Sequence, residues 1–151
     1  MDKNKLHEWM GHALELASTV HDEIPIAAII FSAEGDIIGT GVNTRQDTNH
    51  PFGHAEMNAI LEASNKVNNW RLDGATLVVT LEPCAMCAGA IAQTRISRLV
   101  FGAWDEKAGA VGSVWDVLRD PKAPHQVEVF SGIEKEKCAH LLGAFFEGKR
   151  D

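Results

Sequence analysis

The chain has 151 residues, is 45% hydrophobic and 23% charged, and carries a formal net charge of -7. That composition fits a single globular domain over 1–151 with a sizeable core, and it excludes a disordered or fibrous chain. The acidic balance is not the footprint of indiscriminate nucleic-acid binding, although Arg45, Arg71, Arg95, Arg98, Lys107, Lys149 and Arg150 leave a local basic patch open. No apolar run approaches the roughly 20 residues needed to span a membrane. The polar start Met1-Asp2-Lys3-Asn4-Lys5 is not followed by an apolar segment, so no signal peptide is expected and a cytoplasmic location is the default. Three cysteines do not make a disulfide framework.

Apolar residues at helical spacing, from Leu6 through Trp9, Met10, Ala13, Leu14 and Ala17 to Val20, predict an amphipathic helix over 6–20. His7-Glu8 and His12 do not form a metalloprotease pair, because the second histidine falls one position too late for one helical face. The apolar run 24–31 predicts a buried strand, 33–36 a hairpin turn and 36–42 a second strand. A polar loop over 43–53, with Pro51 and Gly53 as breakers, leads into a helix over 54–67. A third strand over 75–81 feeds Pro83 and another helix. A fourth strand follows over 98–103, a short helix over 114–118, a fifth strand over 126–130 and a closing helix over 133–146. Strands alternating with helices predict a two-layer or three-layer α/β domain.

Two short motifs carry the chemistry. His54-Ala55-Glu56 opens one predicted helix, and Pro83-Cys84-Ala85-Met86-Cys87 opens another. A histidine and two thiolates can hold one Zn²⁺ and leave the fourth tetrahedral position for water. Cys84 and Cys87 are three apart, on one face of a helical turn. Pro83 fits at the start of that helix, where a missing N–H costs little. A helix N-terminus also favours thiolate over thiol. Glu56, two residues from His54, is placed to move protons instead of binding the metal. Either motif alone is weak, since C-x-x-C also serves redox pairs and structural zinc sites. Together and in this order they match the H-x-E…P-C-x-x-C signature of zinc-dependent nucleobase deaminases.

The chain resembles the bacterial tRNA-specific adenosine deaminases of the cytidine-deaminase-like superfamily almost end to end. The stretch Val79-Thr80-Leu81-Glu82-Pro83-Cys84-Ala85-Met86-Cys87-Ala88-Gly89-Ala90-Ile91 resembles that family's second zinc motif. Arg95-Ile96, Val100-Phe101-Gly102-Ala103, Lys107 and Gly109-Ala110-Val111-Gly112-Ser113 resemble its next strand and loop. The resemblance implies a central five-stranded mixed sheet flanked by helices, a homodimer and one zinc ion per chain. It implies a hydrolase that converts the wobble adenosine of a tRNA anticodon loop to inosine and releases ammonia. It assigns His54, Cys84 and Cys87 as zinc ligands and Glu56 as the proton shuttle. It further implies substrate contacts from Asn43, from Ala55 and Pro83 around the base, from Asp105 in a flanking loop, and from the aromatic pair Phe145 and Phe146. Trp104 stands where many relatives carry a basic or small polar residue, which exchanges phosphate contact for stacking.

Two other readings remain at this point. One is a deaminase of a free base or nucleoside (guanine, cytosine or cytidine) on the same scaffold, distinguished only by pocket and loops. The other is a non-catalytic zinc or redox module, against which Glu56 speaks. Cys138, among Ala139, Leu141 and Leu142, reads as a buried thiol.

Overall fold

The computed structural model describes residues 1–149; Arg150, one of the candidate cations, lies outside them. Helix α1 (Lys3–Ala17) is capped at its start by the Asp2 side chain, which accepts from the Asn4 N–H. It stops three residues short of the predicted end. Ser18 and Thr19 turn their hydroxyls back on the carbonyls of Glu15 and Leu16, which ends the helix locally. Strand β1 (Ala27–Phe31) begins after Pro25, whose ring removes a ladder donor. It turns through Gly35, held at φ 92°, into β2 (Ile37–Val42).

Helix α2 (Ala55–Val67), strand β3 (Thr76–Leu81), helix α3 (Ala85–Gln93), strand β4 (Arg98–Ala103), strand β5 (Glu128–Phe130) and helix α4 (Lys135–Lys149) complete the order. The sheet order is β2-β1-β3-β4-β5. β1 runs antiparallel to β2 and β3, whereas β3, β4 and β5 are mutually parallel, with Leu81 opposite Ala103. The expected mixed five-stranded sheet is therefore present.

The central strands β1, β3 and β4 are buried on both faces, so their residues alternate between two cores. Ala28, Ile30, Leu77, Val79, Leu99 and Phe101 face α2 and α3. Ile29, Phe31, Val78 and Val100 face α1 and α4, packed with Leu6, Trp9 and Cys138. Helices on both faces make the domain three-layered and close the alternative left open by the sequence. The Trp9 and Phe31 rings stack at 3.9 Å between centroids.

Gly39 and Gly41 share one face of β2, and α2 lies directly against them. A Cβ at Gly41 would overlap the Ala55 carbonyl and sit 2.6 Å from the Ala59 nitrogen. The missing side chains let backbone meet backbone, which fixes how deeply the start of α2 sits on the sheet.

The predicted helix over 114–118 is absent. The N–H groups of Val114 and Trp115 both donate to the Gly109 carbonyl, and Val117 donates to Ala110. These bonds, with a bridge between Val111 and Asp116, fold the segment into tight turns instead. No described helix is long and apolar enough to cross a membrane.

Candidate metal centre and active site

The ends of β3 and β4 lie side by side because the strands are parallel and α3 forms their crossover. Open α/β sheets build sites at this edge. The chain leaves β3 through Glu82 and Pro83 and enters α3 with Cys84 as its N-cap. Cys87 lies one turn further, fully buried. His54 is the N-cap of α2, with extended backbone, so its ring projects from the start of that helix. Two helix N-termini thus converge, and each favours negative charge.

His54 Nδ1 lies 3.5 Å from Cys84 Sγ and 3.5 Å from Cys87 Sγ, and all three donor atoms lie within 4.8 Å of one another. A tetrahedral zinc with ordinary Zn–N and Zn–S bonds separates such donors by about 3.6 Å. The donor set and its spacing both fit Zn²⁺.

A hydrogen bond from Cys87 pulls Cys84 down to about 4, and His54 adds to the effect. Cys87 is pushed well up, first by the bond to Cys84 and then by burial. The bond to Cys84 raises His54 above the usual imidazole range. Metal ligands must be deprotonated, so the lowered Cys84 favours binding, whereas Cys87 and His54 give up protons as a dication enters.

Glu56 occupies the first turn of α2 and is only 5% exposed. Burial pushes its carboxyl up to about 7, and the nearby Cys84 charge adds to the rise. A carboxyl poised near neutrality can both take and give a proton.

A cavity of about 570 Å³ opens over this cluster. Its wall includes Asn43, Ala55, Glu56, Trp104, Asp105 and Phe146. Five of the residues assigned from sequence to catalysis or substrate contact thus gather here: Asn43, Ala55, Glu56, Asp105 and Phe146. Phe145 lines an adjoining cavity instead, with Asp22, Glu23 and Gln46, and its ring meets Phe146 edge-on at 5.4 Å. Pro83 is buried outside the cavity wall, and its carbonyl accepts the Ala110 N–H. Asn43 is buried, with its Oδ1 accepting from the Arg45 N–H. Asp105 turns its Oδ1 back on the N–H groups of Lys107 and Ala108, organising its own loop. Trp104 is held edge-on by Phe101 and stays 43% exposed, leaving area for a stacking partner.

The candidate cations separate in space. Arg45 and Lys107 line the cavity. Arg71 and Arg95 gather around the exposed Trp70. Arg98 lines a different surface with Met1 and Lys5. The residue that sequence reasoning passed over is Glu82, which belongs to the cavity wall and is 2% exposed. Its place immediately before Pro83 was visible, but its partners were not.

The family model for the cytidine and deoxycytidylate deaminase zinc-binding region matches residues 3–103. The chain belongs to this deaminase family. Similar proteins include the tRNA-specific adenosine deaminase of Bacillus subtilis (strain 168), 42% identical over 94% of this deaminase and 89% of the relative. The protein of the same name from Haemophilus influenzae is 44% identical over 94% of this chain and 83% of its own. Among solved structures, one from work on A-to-I editing by tRNA:A34 deaminases superposes with a TM-score of 0.84 at 38% identity, covering 89% of this chain and 98% of that one. A guanine deaminase from Nitrosomonas europaea superposes with a TM-score of 0.73 at 25% identity, covering 92% and 83%. The deaminase family explains why a His/Cys/Cys centre and a buried glutamate share one cavity, and it excludes a redox C-x-x-C module.

Proposed function

We propose that this deaminase hydrolyses the wobble adenosine of a tRNA anticodon to inosine and releases ammonia. The observation that carries the reading is the 42–44% identity to tRNA-specific adenosine deaminases over 94% of the chain, against 25% to a guanine deaminase. His54, Cys84 and Cys87 would hold the zinc ion. When bound, the metal supplies Lewis acidity that brings the pKa of a coordinated water to about 7.

The protein's own groups do the rest. Glu56 accepts a proton from the attacking water and delivers it to N1 of the adenine. Water oxygen adds at C6; Glu56 then takes the proton of the new C6 hydroxyl and passes it to the amine, so the C6–N bond breaks, a C6 carbonyl forms and ammonia leaves. The base reaches Glu56 only outside its stack, and a single-stranded anticodon loop makes that inexpensive. Asn43, Ala55 and Trp104 enclose the base, Trp104 by stacking, while Arg45 and Lys107 meet the phosphates beside it. Asp105, Phe145 and Phe146 complete the contacts from the loop after β4 and from α4, while Pro83, buried behind the wall, only shapes the turn into Cys84. The reading takes 1–151 as one domain acting as a homodimer in the cytoplasm, checked by sedimentation of the purified protein.

The test is mass spectrometry of an anticodon stem-loop after incubation with the zinc-loaded protein. Inosine is expected at the wobble position and not when the adenosine is moved one nucleotide away. Deamination independent of position, or none at all, would overturn the reading.

A further inference from the structure

Glu82 is a buried carboxylate that the mechanism does not use. It sits where β3 ends, two residues before Cys84, and its four hydrogen-bond donors all come from the loop after β4. Oε1 accepts from the Asp105 N–H at 2.9 Å and from the Ser113 hydroxyl. Oε2 accepts from the N–H groups of Val111 at 2.9 Å and Ser113 at 3.1 Å. Gly109 packs against the carboxylate so closely that a Cβ there would overlap Oε1 and lie 2.6 Å from the Asp105 carbonyl. Around this contact the Ala110 N–H donates to Pro83, and Cys84 bridges to Gly109.

The segment so held is the one whose residues 104–108 form a wall of the catalytic cavity. A turn of this kind, with no regular structure of its own, needs an outside anchor to keep one conformation. Hydrogen bonds to an ionised acceptor are about twice as strong as neutral ones, and a buried carboxylate with four donors is a rigid anchor.

We propose that Glu82 is a positioning residue for substrate: it ties the 105–113 segment to the Cys84 end of β3 and so sets Trp104, Asp105 and Lys107 against the bound nucleotide. The proposal rests on the tRNA reading for the identity of the substrate, but not for the tie itself. A structural prop for the zinc end would affect metal retention and kcat. An organiser of the substrate wall affects KM.

The experiment compares wild-type, Glu82→Gln and the milder Ser113→Ala proteins by zinc content, amide hydrogen exchange, and steady-state kinetics on the anticodon stem-loop. Glu82→Gln keeps the size of the side chain but places an amide NH₂ where donors point. The expected result is at least tenfold faster exchange at the amides of Asp105, Val111 and Ser113, with the α3 amide of Ala88 unchanged. KM rises about tenfold, kcat stays within about threefold, and zinc remains at one per chain. Ser113→Ala, which removes only one donor, moves the same amides and KM in the same direction by a smaller factor. Unchanged exchange at the three amides in both variants would overturn the proposal. So would a fall in zinc content and kcat at constant KM. If the wild type does not deaminate the stem-loop, the tRNA reading fails and the exchange data alone decide the role of Glu82.

Discussion

Replacing Gly41 by alanine places a methyl group where α2 already lies. The new Cβ would overlap the Ala55 carbonyl, lie 2.6 Å from the Ala59 nitrogen and 2.9 Å from the Asn58 Cβ. Ordinary carbon–oxygen contacts begin at about 3.3 Å, so the start of α2 must retreat by about 1 Å. Two of the three obstacles are backbone atoms, which cannot rotate away. Overpacking of this kind costs about 1–3 kcal/mol, offset by the roughly 0.5–1 kcal/mol that losing a strand glycine returns through backbone entropy. A net loss near 1 kcal/mol lowers the Tm of a chain this size by about 2–4 °C. The displaced turn carries His54 and Glu56, and a misplacement of about 1 Å at a reacting centre costs on the order of 100-fold in rate. Calorimetry and kcat/KM are measured together, with Gly143→Ala as control. That helical glycine has nothing within 4 Å of its Cβ position, so its replacement should raise stability by up to about 1 kcal/mol. A Gly41→Ala protein with unchanged Tm and turnover within twofold of wild type would refute the close-approach argument.

Glu56→Ala should bind zinc normally and lose about 10²–10⁴-fold in kcat, the usual worth of acid–base help, whereas Cys84→Ala should lose the metal, both read by metal analysis and turnover. Cys138 is fully buried, and burial pushes its thiol up to about 11. Native protein loaded with zinc should therefore leave Cys138 unreacted with a thiol reagent over minutes and expose it on unfolding. The His7 ring, 2.8 Å from Glu134, holds that carboxyl below its ordinary value, with Lys137 assisting. A depressed folded-state carboxyl contributes stability above its unfolded pKa and loses it as pH falls through the folded value. The stability difference between wild type and His7→Ala should thus be present at pH 6, at about 0.5 kcal/mol for so exposed a pair, and vanish by pH 3. A difference that persisted at pH 3 would assign the effect to packing.

Much of the site could be read from spacing. Cys84 and Cys87 had to share a helical turn, and both metal half-sites had to begin helices after loops. The central strands were visible because runs such as Leu77-Val78-Val79 are apolar on both faces. What escaped depends on partners distant in sequence. Glu82 draws its donors from 23 to 31 residues downstream, so only the folded chain shows why a charge is buried there. Gly39 and Gly41 leave one face of β2 bare, but nothing local in the sequence names α2 as the neighbour that packs there. The segment 114–118, Val114-Trp115-Asp116-Val117-Leu118, has one strong helix former, Leu118, and the Gly109 carbonyl diverts two of its N–H groups into a turn. Phe145 and Phe146 are adjacent on α4 and both line the adjoining cavity, but consecutive helical side chains diverge by about 100°, so only Phe146 also reaches the catalytic one.

The central claim is most directly tested by offering the zinc-loaded protein an anticodon stem-loop with wobble adenosine, free adenosine, cytidine and guanine at equal concentration, with Glu56→Ala as control. Inosine in the stem-loop alone, absent with the control, is the predicted result. Deamination of guanine or a free nucleoside with the stem-loop untouched would contradict the assignment of substrate while leaving the metal centre and Glu56 in place.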